Sequence, residues 1–225
     1  MSMMIRNIVA IYRKELQSYF ASPLAYVIAG VFWFLAGLFF VVILQSVIQQ
    51  ATALDLQGQQ PVDVPYAILQ NFLSVLGSLA LVILPILSMG LYAEERKRGT
   101  LELLATSPIT NWAVALGKLL GVLTFFTTLV VPLLIYEAIA FGGATPPMQP
   151  WVLLVAHGGL ILLAAAVLSL GLFISSLTDS TILAAILTFG LVVLLWVLDL
   201  IGQNLGGPLG AALNHLSLLK HYTNL

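Results

Sequence analysis

The chain has 225 residues, of which 60% are hydrophobic and 8% are charged, and its formal net charge is −1. Soluble domains carry about 25% charged residues, so this composition excludes a water-soluble protein. It also lacks the basic excess that is typical of nucleic-acid binding, and no nucleic-acid partner is expected. The absence of cysteine excludes disulfides, thiol catalysis and cysteine-ligated metals. Because apolar runs of about 20 residues recur along the chain, we predict an all-α polytopic membrane protein.

The first predicted element is an amphipathic helix at residues 5–20, "IRNIVAIYRKELQSYF". Its apolar side chains recur at helical spacing, whereas Arg6, Arg13 and Lys14 lie off that stripe. This pattern is typical of a helix that lies in the membrane interface, with lipid as one of its contacts. An ordinary amphipathic helix docked on protein is the alternative.

Five membrane spans follow from the apolar runs. The second span is longer than the hydrocarbon layer and should tilt or kink, with Pro85 as the expected place. A charged stretch ends it, because each lysine or arginine at the bilayer centre costs roughly 3 kcal/mol. An external segment, residues 202–225, ends abruptly, so we expect that a final helix is missing from the sequence. The predicted spans are residues 24–44, 66–91, 112–141, 151–174 and 181–201.

The basic residues predict the orientation of these spans. Seven of the eight lie on one side of the topology or just inside that face, and Lys220 alone lies on the other. Cytoplasmic loops carry an excess of lysine and arginine. The N-terminus and the loop after the second span are therefore predicted to be cytoplasmic, and residues 45–65 and 142–150 to be external.

The sequence shows no catalytic motif. A P-loop is excluded, because Lys118 is followed by leucine and Trp112 stands where the first glycine should be. A Gly-x-Ser-x-Gly elbow is absent, and the histidines lack the spacing of metal ligands. We therefore expect a chain that is not an enzyme and holds no metal.

Glu137 is the one carboxylate well inside a predicted span. Ionisable residues in membrane spans are functional candidates by default. A carboxylate that reaches the headgroup region from near the outer end of its span is an equally good interpretation. The role of Glu137 therefore stays open at this point.

The loop "YAEERKRGTLELLATSPITNW", residues 92–112, holds three basic and three acidic residues. Residues 94–98 are expected to extend the second span past the membrane as a charged helical end. Gly99 permits a sharp turn. Thr100 can cap a second short helix, with Glu102 in its first turn, where the helix dipole favours negative charge. Such a helix can transmit a movement of a cytoplasmic partner to the membrane spans. The alternative is a loop whose basic residues only fix the orientation of the spans and that has no partner.

Three segments resemble a known family. "AEERKRGTLELLATSPITNWAVALGKLL" closely resembles the loop of type 2 ATP-binding-cassette (ABC) transporter permeases, with an acidic and basic run before Gly-Thr-Leu-Glu-x-Leu-Leu and a later proline. "YRKELQSYFASPLAYV" resembles the family's interfacial elbow helix, and "GLFISSLTDSTILAAILTFGLVVLLW" is similar to its fourth and fifth spans. The likeness is greatest to permease subunits of gliding-motility-type ABC systems, followed by copper-enzyme-maturation permeases.

This resemblance implies a fold of six spans, five of them visible here, with a cytoplasmic coupling helix in residues 93–109. It implies a dimer of identical or different permease chains in the prokaryotic plasma (inner) membrane, with two ABC ATPase subunits on the cytoplasmic side. An extracytoplasmic companion protein is a further expected partner. ATP and Mg then bind to the ATPase, and this chain holds no cofactor. The residues that carry over to the ATPase-coupling site are Glu94, Glu95, Arg96, Arg98, Gly99, Thr100, Leu101, Glu102 and Leu104.

One departure from the family pattern concerns the start of the third span. Ala113 stands where related chains often place a glutamate that would complete a capping box with Thr110. Thr110 or Asn111 can still cap the helix, but its start is less sharply fixed.

The leading hypothesis is the permease subunit of an ABC exporter, energised by ATP that another chain hydrolyses. The alternative is a membrane anchor or assembly factor that uses the same ATPase without transporting a solute. A third class, an ion-coupled carrier with Glu137 as its titrating group, expects several intramembrane ionisable residues or two symmetric halves with broken helices. The sequence shows neither feature.

Overall fold

The structure is a computed structural model that describes residues 3–58, 63–100, 109–142, 144 and 148–204. Within these residues it is helical and contains no strand. Helices α2, α3, α5, α6 and α7 are long and apolar enough to cross a membrane, which confirms the predicted all-α polytopic class. The helices are α1 (Met3–Ala21), α2 (Pro23–Leu56), α3 (Val64–Ser88), α4 (Ala93–Lys97), α5 (Asn111–Gly142), α6 (Pro150–Leu177) and α7 (Thr181–Asn204).

Helix α2 is longer than the span predicted for it. It continues past residue 44 to Leu56, through a stretch that the sequence indicated to be loop. The added residues include glutamine, alanine and leucine, which are good helix formers, and a helix does not have to end at the membrane surface. Helix α3 begins where the Asp63 carboxylate accepts a hydrogen bond from the Tyr66 N–H at 3.2 Å, and it continues through Pro85.

Helices α3 and α6 lie at the centre of the bundle. Helix α3 packs against α2, α6 and α7, while α5 packs between α1 and α6. Helices α2 and α7 present exposed apolar faces, which are suited to lipid or to another membrane protein. The largest fully buried apolar side chains are Phe32, Phe72, Leu76, Leu84, Phe126, Leu160 and Leu168.

Helix α1 packs closely against α5 at two glycines. A Cβ at Gly117 would lie 2.7 Å from the Cβ of Ile11, and a Cβ at Gly121 would lie 2.7 Å from the Cβ of Glu15. Small residues four apart are the usual device for such close contact between membrane helices. Because the contacts advance by four residues along both helices, α1 runs beside α5 in the same direction.

The C-terminal end of α1 is fixed by Tyr19. Its ring stacks on that of Phe125 with a centroid separation of 5.1 Å. Its hydroxyl donates a hydrogen bond to the Leu87 carbonyl at 2.5 Å. One face of α1 is therefore covered by protein, while its position relative to the bilayer stays a prediction.

Candidate functional site

The junction between α3 and α4 is held by a serine from α6. The Ser175 hydroxyl accepts hydrogen bonds from the N–H groups of Tyr92 and Ala93, each at 3.0 Å. It also donates to the Met89 carbonyl at 2.9 Å. Ser175 is fully buried, so these contacts join the junction firmly to α6.

This contact explains why α4 is a separate helix. The predicted charged helical end of the second span is present as α4, but a turn at residues 89–92, which the sequence did not predict, comes between α3 and α4. The backbone groups that would continue the helical ladder are instead bonded to Ser175. Helix α4 is thereby directed by α6 as well as by α3.

Four side chains of alternating charge meet beside α4, and we call them the charged ring: Lys14, Glu15, Glu95 and Lys118. Lys14 Nζ lies 2.6 Å from Glu95 Oε1, which lies 3.0 Å from Lys118 Nζ. Lys118 Nζ lies 2.8 Å from Glu15 Oε1, which lies 3.5 Å from Lys14 Nζ. The four formal charges cancel. The charged ring joins α4 to both α1 and α5.

The members of the charged ring differ in exposure. The Lys118 side chain is 2% exposed and that of Lys14 is 63% exposed, with the two carboxylates at 11% and 13%. Burying an ammonium group is costly unless it is paired, so Lys118 depends on Glu15 and Glu95. Lys118 Nζ also lies 5.3 Å from the centroid of the Tyr92 ring, within range of a cation–π contact.

Lys14 closes the charged ring from the solvent side. Burial by itself lowers the pKa of Lys14, but the hydrogen bond and charge of Glu95, together with the charge of Glu15, outweigh it and raise this pKa above its ordinary value. Lys14 is therefore charged at neutral pH. Glu95 uses Oε1 for both lysines, while its Oε2 is buried without a hydrogen-bond partner among the described residues.

The predicted coupling residues of α4 point in different directions. Glu95 faces the interior through the charged ring, whereas Glu94, Arg96 and Arg98 are exposed. Glu94 and Arg98 form an ion pair one turn apart on the helix. Arg96 and Trp112 line an open groove of about 530 Å³ between α4, α5 and α6.

The structure has the turn at Gly99 that the sequence predicts. Gly99 has φ of +68°, in the left-handed region that favours glycine, which confirms the predicted sharp turn. The Thr100 N–H and hydroxyl both donate to the Glu95 carbonyl, at 3.0 and 3.2 Å, so Thr100 closes the end of α4. The helix predicted after it, with Leu101, Glu102 and Leu104, lies outside the described residues.

Thr110 begins α5. Its hydroxyl accepts a hydrogen bond from the Ala113 N–H at 3.4 Å, as the sequence indicated for a capping threonine. Ala113 is fully buried, so this position is part of the packed interior.

The sequence interpretation did not include Lys14, Glu15, Lys118 or Ser175 in the site. Lys118 carried a signal, because a lone cation within a predicted span is a functional candidate. The spacing of Gly117 and Gly121 around it is also typical of a close helix contact. Ser175 carried no signal, since a serine at a helix end has many ordinary roles.

Replacing Ser175 with alanine is expected to lower the free energy of unfolding by about 2 kcal/mol, because the N–H groups of Tyr92 and Ala93 and the Met89 carbonyl lose their partner. Denaturant unfolding in mixed micelles measures the change. The matched control is Ser176→Ala, since among the described residues that hydroxyl bonds to the Phe173 carbonyl of its own helix, at 2.6 Å. Equal effects of the two substitutions would contradict the role given to Ser175.

Comparison with protein families relates this geometry to known proteins. The model of the family described as ABC-2 family transporter protein matches residues 9–224. A comparison with curated proteins gives no match to this chain. The family match includes all members of the charged ring, Ser175 and the five candidate spans, and it agrees with the resemblance seen in the sequence. The likeness to one subfamily stays a prediction. The chain is thus a multi-pass membrane protein that belongs to the ABC-2 family of transporter proteins.

Proposed function

We propose that this permease subunit couples ATP hydrolysis on a separate ABC ATPase to the export of a substrate across the membrane. Membership of the family implies an ABC ATPase as partner. The observation that carries the coupling proposal is the attachment of α4 to α1 and α5 through the charged ring, and to α6 through Ser175. A chain that serves only as a membrane anchor has no need of such a connection.

The contacts of α4 support a mechanical role. Two of the helices that it contacts, α5 and α6, are long enough to cross the membrane, and both belong to the packed core of the bundle. Packed protein interiors have low compressibility and transmit displacement. A displacement of α4 should therefore move α5 and α6 together. ATP and Mg belong to the ATPase in this proposal, and this chain contributes no catalytic group.

The docking surface in this proposal is the exposed side of α4 together with the segment that follows it. The exposed charges of α4 are Glu94, Arg96, Lys97 and Arg98. One of the four is acidic and three are basic, which suits a partner groove that carries mainly acidic side chains. Leu101, Glu102 and Leu104 complete the surface by their resemblance to the family's coupling helix.

The wider assembly belongs to the same proposal. A cytoplasmic N-terminus in a prokaryotic inner membrane agrees with the distribution of basic residues. The exposed apolar faces of α2 and α7 support contact with a second permease chain. An extracytoplasmic companion protein rests on the resemblance alone.

Replacing Leu104 with aspartate is expected to weaken association with the ATPase about thirtyfold, which corresponds to roughly 2 kcal/mol, because it places a charge in an apolar contact. The measurement is co-purification of the ATPase subunit from cells that produce both chains. The control is Arg13→Ala, since Arg13 is exposed on α1 at the same predicted face of the membrane. Full association of the Leu104→Asp variant would contradict the docking proposal.

Gly99→Val separates docking from coupling in the same experiment. Valine is strained at φ of +68°, so the segment after α4 should be misdirected. We expect the ATPase to remain bound while transport-linked ATP hydrolysis in proteoliposomes is lost. If the chain were only an anchor or assembly factor, this substitution would leave ATP hydrolysis by the bound ATPase unchanged.

A further inference from the structure

A second polar contact lies in the bundle, far along α5 from the charged ring. Glu137 of α5 and His157 of α6 have side chains that are 0% and 2% exposed, and His157 Nε2 lies 3.2 Å from Glu137 Oε2. Nineteen residues separate Glu137 from Lys118, or about 28 Å along a helix. This pair is therefore independent of the proposed coupling site.

The hydrogen bond on the other side of the ring defines the state of His157. Its Nδ1 lies 3.0 Å from the Leu153 carbonyl oxygen. A carbonyl only accepts, so Nδ1 must carry a hydrogen. In a neutral ring Nε2 is then an acceptor, and it faces the oxygen of Glu137. An ionised carboxylate is also an acceptor only, and two acceptors cannot bond to each other without a proton.

Three buried atoms at this contact have no hydrogen-bond partner among the described residues. They are Oε1 and Oε2 of Glu137 and Nε2 of His157. Buried polar atoms in proteins are nearly always hydrogen-bonded. One proton between Oε2 and Nε2 would join two of these three atoms after a small adjustment of the side chains.

No other described ionisable group provides that proton or balances the charge. At this end of the bundle the described groups are Asp55 of α2 and Asp63 and Tyr66 of α3, and all three are exposed. Asp199 of α7 and Tyr136 of α5 lie outside the described side chains. The charged groups of α1 and α4, and the lysine of α5, lie at the charged ring or beside it.

We propose that Glu137 and His157 form a binding site for a single proton within the membrane bundle. The proton lies on the carboxyl group, which then donates to Nε2, or on the imidazole ring, which then donates to Oε2. In both forms the pair is neutral overall, as an apolar interior requires. Loss of the proton leaves two acceptors facing each other, so proton binding is linked to the contact between α5 and α6.

The test is nitrogen NMR of histidine-labelled protein in lipid nanodiscs at pH 7. His215→Gln and His221→Gln leave His157 as the one histidine of the sequence. We expect a protonated Nδ1 and a hydrogen-bonded Nε2. Glu137→Gln should keep that bond, because its amide donates to Nε2, whereas Glu137→Leu should shift the Nε2 signal to that of a free acceptor.

Infrared difference spectra between wild type and Glu137→Gln locate the proton. If the spectra contain a protonated-carboxyl band that Glu137→Gln removes, the proton lies on Glu137. If NMR shows hydrogens on both ring nitrogens, the proton lies on His157. Either result supports the site. An unprotonated Nδ1 overturns the proposal. So does an ionised carboxylate beside an Nε2 that carries no hydrogen. If Glu137→Leu does not fold, the comparison of wild type with Glu137→Gln still decides.

Discussion

Replacing Lys118 with methionine is expected to lower the free energy of unfolding by about 3 kcal/mol, the largest effect of any single substitution in the charged ring. Methionine fills a similar volume but removes the ammonium group that lies 2.8 Å from Glu15 and 3.0 Å from Glu95. Both carboxylates then depend on Lys14, whose side chain is 63% exposed. Denaturant unfolding in mixed micelles measures the loss, and co-purification of the ATPase shows whether docking weakens with it.

Two further variants test whether the charge balance of the ring is the cause. Lys14→Met should cost about 1 kcal/mol or less, since exposed ion pairs contribute little. The double substitution Glu15→Gln and Lys118→Met leaves Lys14 paired with Glu95 and should recover at least half of the loss. If Lys14→Met is as damaging as Lys118→Met, or the double substitution recovers nothing, burial of the ion pair is not what stabilises the junction.

The second large effect is expected at Gly171, where three helices meet. A Cβ at Gly171 would lie 2.0 Å from Ser88 Oγ, 2.5 Å from Ser88 Cβ and 3.2 Å from Thr188 Cγ2. The Ser88 Cβ is fixed to the backbone of α3, so Gly171→Ala must separate α3 from α6. Overpacking of this kind typically costs about 1–3 kcal/mol, and we expect a loss at the upper end, measured by the same unfolding experiment.

Removing the side chain that faces Gly171 tests whether the clash with Ser88 causes the loss of stability. Ser88→Gly combined with Gly171→Ala removes the side chain that the new methyl group meets, so most of the stability should return. Gly158→Ala is the control on the same helix, because nothing lies within 4 Å of its Cβ position. That change should be neutral or stabilise the protein by up to about 1 kcal/mol. A failure of Ser88→Gly to rescue Gly171→Ala would show that another contact is responsible.

The sequence alone predicts the features that depend on residues close together in the chain. Apolar runs predict the membrane-spanning helices because the bilayer imposes their length. The turn at Gly99 and the start of α5 at Thr110 follow from local backbone chemistry, and the structure has both. The extension of α2 to Leu56 was missed because hydropathy reports where a membrane could lie and not where helical hydrogen bonding ends.

The charged ring and the contact of Ser175 could not be predicted, because they depend on how separate helices are rotated against each other. The sequence marks Lys118 as a lone cation within a predicted span, but only the structure shows that Glu15 of α1 and Glu95 of α4 pair with it. Glu95 reads as part of an exposed acidic and basic run, yet it faces inward. The division of α4 into an inward and an outward side follows from packing alone.

The members of the charged ring are synthesised at very different times. Lys14 and Glu15 emerge early, and their partners follow 81 residues later for Glu95 and 103 residues later for Lys118. Domains fold from the N-terminus as the chain lengthens, so α1 must wait at the membrane for α4 and α5. Lys118, by contrast, finds Glu15 already present when α5 enters the bilayer. The ammonium group of Lys118 therefore has a partner available when it is inserted, and Ser175 of α6, which completes the junction, is synthesised later still.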